Sequence, residues 1–521
     1  MGEPTSTSGG QADRGTDGKL TCRRSAWKKW LWWGLVAFWA VTIAGRIWWG
    51  QVAQSRLDAA LAEARQVGPL EWKDLLPPPV PDDQNAVVAY EVAFRTDFFN
   101  VRGKAPGRTP RQQRLSELSD MVSDLLDDDY RREHPQEVQE ILQEAAIPLA
   151  CARVARSMDG VDWKLPVDQP LISIDLRNMA RFRHLARLLC LAASAAHDAG
   201  RDDEAVQYLL DTLAAGDVLK RSPHLIGQLV GIAVDALAAG AVEAIAPRLQ
   251  VGDGAGAVGP SQVTELVRIL ADGEKSRQAF VFGMLAERAM AFDTCERFRD
   301  GLIRMDDNGL IKTGGKWSRV IWVMDPMFML DEAHLIRFHT QTVRAAKEQT
   351  FHATMAKWPD TEADQIEGRL IHARLLSAIL IPSIGKMPDV VHRAAVMRKM
   401  AAVRLAMRVY ELDHGRLPES LGELVPGYLP RLPEDTFSAT LEPLRYLPDA
   451  DRPLLYSVGP NGQDDKGMFA TTQSGAVIED RSPDIVFFIN GDRPKSNHKR
   501  SATSTAPATL PATSSAQPAS D

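Results

Sequence analysis

Residues 30–45, WLWWGLVAFWAVTIAG, run without a single charge. With Arg46, Ile47, Trp48, Trp49 and Gly50 the segment 30–50 reaches 21 residues, about 31 Å of helix at ~1.5 Å per residue, which matches the hydrocarbon thickness of a bilayer. Beyond it the pattern changes to the helical period. Val206, Leu209, Leu210 and Leu213 fall at i, i+3, i+4 and i+7, and Met179, Phe182, Leu185, Leu189 and Ala192 form a similar stripe. Only residues 200–203 separate the two stripes, which predicts an antiparallel helix hairpin. The same reading predicts helices over 85–97, 112–128, 135–158, 176–199, 202–220, 223–248, 260–299, 328–357, 361–380 and 387–414. Turn chemistry separates them at Gly200, Ser222-Pro223, 252–260, 306–309, Gly314-Gly315 and Ile381-Pro382.

After His414 the pattern shortens. Residues 416–490 are rich in Pro, Gly and Asp, and the apolar segments 444–447, 454–458 and 485–489 read as strands. The expected fold is mainly α: an N-terminal transmembrane helix, a helical bundle, then a small α+β C-terminal module. The expected divisions are a disordered tail over 1–29, an anchor over 30–50, a helix and Pro-rich linker over 51–83, a helical domain over 84–385, the α+β module over 386–492 and a disordered tail over 493–521. The last assignment is compositional: 18 of the 21 residues 501–521 are Ser, Thr, Ala or Pro, too little apolar area to offset the entropy of ordering.

The chain has 521 residues, 61 Lys and Arg against 68 Asp and Glu, and a net charge of −7. That balance argues against nucleic acid as a partner, because phosphate binding needs a basic surface. Charge also orients the anchor. Arg23, Arg24, Lys28 and Lys29 precede it and only Arg46 and Arg56 follow closely, so the N-terminus is expected in the cytoplasm and the bulk of the chain in a periplasmic or other extracytoplasmic space. Seven of the twelve tryptophans lie within 27–49, an aromatic belt at both ends of the span. A cleaved signal peptide with Thr42 and Ala44 before the cut is the rival reading, although a Trp-rich core is unusual for one. Cys151, Cys190 and Cys295 show neither a disulfide framework nor zinc spacing.

One stretch resembles a known family. A helix over 387–413 runs into Gly-Arg-Leu-Pro (415–418), Leu-Pro-x-Asp ending at Asp435, and Tyr-Ser-x-Gly-x-x-Gly (456–462). An acidic loop follows, then Asp484-Ile485 before the last strand. That order resembles the globular end of the major pseudopilin of type II secretion, over roughly 387–490. The resemblance implies a calcium ion in the acidic loop, with Asp464, Asp465 and Asp484 as ligands, since Ca²⁺ takes six to eight oxygens. Asn461 stands where the family has Asp, and Asp435-Thr436-Phe437 replaces its Asp-Pro-Trp. The anchor also carries no Glu and lies about 340 residues upstream of the module helix, unlike a filament subunit. Separately, 196–216 resembles half of a tetratricopeptide repeat, without recurrence.

No nucleophile elbow, dinucleotide fingerprint or HExxH occurs. Asp331-Glu332-Ala333-His334 spells a helicase signature without a phosphate loop and reads as a charged helix face. His334, His339, His352, His372 and His392 read as scattered surface or capping residues. The apolar stretch 320–330 is expected beneath the bundle or as a contact surface. Three functional readings stay open: a non-catalytic scaffold or binding protein in the envelope with protein partners there, a component of a secretion or pilus-like apparatus, and a hydrolase whose site is assembled from residues distant in sequence.

Overall fold

The computed structural model describes residues 18–494 except 102–106, 166–176, 301, 306–310, 314–317, 361–376, 378–380, 382–383, 449–451 and 474. The tail expected over 493–521 falls almost entirely outside the described residues, as do residues 1–17, His372 and nearly all of the helix expected over 361–380, whereas residues 18–29, expected in the N-terminal tail, continue the anchor helix. In chain order the helices are α1 (Gly18–Val67), α2 (Ala86–Phe94), α3 (Asp97–Asn100), α4 (Pro110–Met121), α5 (Asp128–Glu133), α6 (Pro135–Glu144), α7 (Ala146–Arg156), α8 (Arg177–Asp198), α9 (Asp202–Lys220), α10 (Leu225–Ile245), α11 (Pro260–Ala271), α12 (Gly273–Arg299), α13 (Ser318–Ala346), α14 (Phe351–Lys357) and α15 (Met387–His414). The strands are β1 (Ile303–Met305), β2 (Ile311–Thr313), β3 (Arg445–Leu447), β4 (Leu454–Ser457), β5 (Ala470–Thr471), β6 (Val477–Ile478) and β7 (Ile485–Phe488).

Three expected helices break in two, each for a local reason; 328–357 parts between Ala346 and Phe351, where the Thr350 hydroxyl accepts the Ala353 amide at 3.2 Å and caps α14. Pro148 would clash with the carbonyl four residues earlier, so 135–158 divides at Ala145 into α6 and α7. The Asp272 carboxylate accepts the Lys275 amide at 3.0 Å, a cap that ends α11 and starts α12.

The chain forms two compact units, 1–68 with 291–338 and 362–382, and 69–290 with 339–361 and 383–521. The expected helical domain 84–385 is therefore not one body, because its segments 291–338 and 362–382 belong with the N-terminal helix.

In the first unit α1 changes character along its length. Trp30 is 83% exposed and Val41 72%, whereas Ala53, Leu57, Ala60 and Ala64 are at most 2% exposed. Arg337 of α13 donates to the Arg56 carbonyl at 3.3 Å. The helicase-like tetrapeptide is not a solvated face: Asp331 and Glu332 are buried, and Glu332 pairs with Arg299 at 2.9 Å. Burial lifts the Glu332 carboxyl up to about 7, and Arg299 pulls against that lift.

In the second unit two apolar cores share α9. Tyr90, Phe94, Phe98, Phe182 and Leu185 meet Val218 and Leu219 in one of them. Val206, Leu209 and Leu213 join the other, with Val242, Leu266, Leu405, Phe437, Leu455 and Phe487. The predicted α8–α9 hairpin turns at Gly200, φ +73°. The second core runs without interruption from the bundle into the C-terminal module, so the expected boundary at 385/386 separates no cores. Glu243 of α10, 4% exposed, accepts the Phe488 amide at 2.6 Å and pairs with Arg493 at 2.8 Å.

The module's sheet has the order β3-β4-β7, antiparallel throughout, with Tyr446 opposite Leu455 and Leu455 opposite Phe487. The three strands lie where the apolar segments predicted them. The hairpins β1-β2 and β5-β6 were not predicted, since strands of two or three residues leave almost no periodic trace.

Candidate metal centre

The acidic loop hangs between β4 and β7 and is closed by the buried Asp484. This residue is 0% exposed; its Oδ2 accepts the Gly467 amide at 2.7 Å and the Met468 amide at 3.2 Å. The Asp484 amide in turn donates to the Met468 carbonyl at 3.2 Å. The carboxylate thus staples the end of the loop to the strand that follows. Its other oxygen, Oδ1, is buried and has no hydrogen-bond partner among the described residues. Burial pushes the Asp484 carboxyl up to about 6 against the pull of the backbone amides, and the Asp465 charge adds to the lift.

The three residues expected as ligands divide into two groups. Asp465 lies close enough to Asp484 for its charge to be felt there, and its Oδ2 accepts the Asn461 side-chain amide at 2.7 Å. Asp464 is engaged elsewhere, accepting the Tyr456 hydroxyl at 3.0 Å and pairing with Arg445 at 3.2 Å. Among the described residues no group of three His, Cys, Asp or Glu side chains converges as a metal would require. Two neighbouring carboxylates with one orphaned buried oxygen fit a hard cation whose remaining ligands are carbonyls and water. A set of three carboxylates would require Asp464 to leave Arg445.

The other motif residues are structural. Asp435, 0% exposed, accepts the Ser457 hydroxyl at 2.8 Å, the Val458 amide at 2.9 Å and the Phe437 amide at 2.9 Å. It joins the Leu-Pro-x-Asp turn to the Tyr-Ser-x-Gly strand, which explains why these two motifs occur together. Gly459, φ +63°, lies directly against the Pro483 carbonyl oxygen. The sequence shows both as motif positions and does not show their role in holding the loop's two ends.

Nor does it show where His352 lies. Far from an isolated surface group, its Nε2 is buried without a partner and abuts Gly462 in the loop. His392 is likewise buried, packed on Phe351 and Phe437, and burial first, then the Lys399 charge, brings it down to about 4. His339 is fully buried on α13. These histidines are core and wall residues, and His392 shares a cavity wall with Asp272, Glu274, Glu348 and Glu434. No family model matches the chain, and no curated protein and no solved structure matches it.

Proposed function

We propose that the protein is a single-pass, membrane-anchored binding or scaffold protein of the cell envelope, with its N-terminus cytoplasmic and both folded units on the far side. The observation that carries this reading is the change along α1. One continuous helix leaves the Trp-rich half of its side chains bare while the Ala-Leu face at 53–64 is packed. So much clustered apolar surface is unfavourable in water and fits the interior and interface of a bilayer. The charge step before the span supports the orientation. A second reading, participation in a secretion or pilus-like apparatus, is favoured by the C-terminal module, whose motif order resembles that of a pseudopilin.

The test is made on the full chain in bacterial membranes with an epitope tag before residue 18. Alkaline carbonate should leave the chain in the membrane pellet. Protease added outside spheroplasts should remove residues beyond 69 and spare the tag. Release by carbonate, or loss of the tag before the bulk of the chain, would overturn the proposal.

Within this reading the acidic loop is a calcium site built on Asp465 and Asp484, in which the ion fixes a strand connection. In detergent, the full chain should melt several degrees higher in calcium than in chelator, because a ligand that binds only the folded form stabilises it by mass action. Asp465→Asn and Asp484→Asn should each abolish the rise, and Asp464→Asn should leave most of it. The pH dependence has a definite sign. The Asp484 carboxyl titrates near 6 in the fold against about 3.9 unfolded, so without metal this group favours folding below pH 4 and loses that contribution as pH rises through 6. Calcium needs the ionised form, and its effect should therefore be full at pH 7.5 and small at pH 5. An equal melt with and without calcium at pH 7.5 reduces the loop to a turn.

A further inference from the structure

A cavity of about 620 Å³ opens in the second unit among α11, the first turns of α12, α15 and residues 428–441. It lies within the range of small-molecule sites, and its wall is largely apolar: Val267, Ala271, Phe280, Val391, Ala395 and Leu429.

Most of the charge around it cancels locally. Arg277 forks onto Glu274 at 2.6 Å and 3.0 Å, Arg431 reaches Glu434 at 3.4 Å, and Glu348 pairs with Lys357. Asp272 caps α12 and keeps its negative charge at the cavity's edge. His392 titrates near 4 and is neutral at pH 7. Among the described lining residues two cations stand outside any ion pair, Arg268 at the exposed rim and Lys399 in the wall.

Lys399 is the unusual one. It is 7% exposed, and among the described residues its ammonium makes one hydrogen bond, to the Glu434 carbonyl at 2.7 Å. An ammonium has three donors, and a carbonyl carries no net charge to set against it. Burial pulls the Lys399 pKa down against the pull of the Glu434 and Asp435 carboxylates, neither of which it reaches with a hydrogen bond among the described residues. The side chain lies across the start of α12, where a Cβ on Gly273 would come within 3.1 Å of Cε and 3.4 Å of Nζ. The N-terminal end of that helix adds positive potential. On the same wall the Thr436 hydroxyl is buried without a partner.

We propose that this cavity binds a small carboxylic acid with an apolar body, its carboxylate on the Lys399 ammonium and the Thr436 hydroxyl, its body against the Val391–Phe280 wall. A carboxylate supplies both at once, a charged acceptor for an ammonium whose hydrogen-bond partner is a neutral carbonyl, and an acceptor for the hydroxyl. Arg268 at the rim draws the anion in.

The test is calorimetric titration of the full chain, held in amphipol, with 4-phenylbutyrate and, as a control of equal shape, 4-phenylbutanamide. The acid should bind saturably at one site per chain, and the amide at least tenfold more weakly. Lys399→Met should weaken the acid at least tenfold without changing the amide, and Lys399→Arg should retain the preference for the acid. Should Lys399→Met fail to fold, Ala395→Leu, which fills the cavity and leaves the charge, should block both compounds. No saturable binding, equal binding of acid and amide, or undiminished binding by a folded Lys399→Met chain would each overturn the proposal. None of these outcomes depends on which side of the membrane the cavity faces.

Discussion

Asp235→Ala should cost the second unit about 3–5 kcal/mol, the scale for breaking a buried ion pair from one side. Asp235 of α10 is 3% exposed, and its two partners, Lys220 and Arg398, are 6% and 2% exposed. One carboxylate oxygen accepts both, Lys220 at 2.8 Å and Arg398 at 3.1 Å. Arg398 also donates to the Ser276 hydroxyl at 2.8 Å and the Ile269 carbonyl at 2.6 Å, so this one network ties α9, α10, α11, α12 and α15 together. Alanine leaves Arg398 in the interior without its carboxylate partner, whereas Lys220 keeps Asp217 at 2.9 Å. Against a typical total stability of about 5–15 kcal/mol, a loss of that size is a large part of what holds the unit together. Urea denaturation of the full chain in detergent, followed by circular dichroism, measures it. A loss below about 1 kcal/mol would show that water enters and solvates the cations. Asp235→Asn, which keeps an acceptor but no charge, should fall between alanine and the parent.

Gly459→Ala should be nearly as damaging, for a steric reason. The residue sits at φ +63°, where a side chain costs roughly 1–2 kcal/mol by itself. A Cβ there would also press into the Pro483 carbonyl oxygen, which is backbone and cannot turn away. The contact joins the end of β4 to the residue before Asp484, so relieving it shifts the register of β4 against β7 and pulls on the staple that closes the acidic loop. The expected cost is about 3 kcal/mol or more, read as a lower melting midpoint and earlier proteolysis within 430–490. Gly427→Ala is the control, because no heavy atom lies near its Cβ position and its backbone is not left-handed; it should melt within a degree or two of the parent. If the two variants melt alike, the approach of Pro483 is softer than its geometry implies.

Much of the local structure was legible along the chain. The bounds of α9 and α15 match the predicted 202–220 and 387–414, and β3, β4 and β7 fall inside the predicted apolar segments, because periodicity and turn residues act within one element and its immediate neighbours. The apolar run of α1 was equally legible, since composition over some twenty residues needs no partner to be read. The association of Leu-Pro-x-Asp with Tyr-Ser-x-Gly was visible as a pattern, but its reason, Asp435 bonded to Ser457 and Val458, was not.

Only the tertiary structure decided which charged groups are buried. Nothing along the chain marks Asp235, Lys220 and Arg398 as a unit, because Arg398 stands 163 positions from Asp235 and burial is a property of what packs on top. The same holds for Asp331 and Glu332, read as a solvated face and found inside, and for Lys399, one basic residue among many on an amphipathic helix until α11 and α12 enclose it. The division of the acidic loop also lay beyond the sequence: Asp464 and Asp465 are adjacent in the chain, yet one turns to Arg445 and the other toward Asp484. Side chains of neighbouring residues outside a helix point apart, and their partners are set by folding at long range.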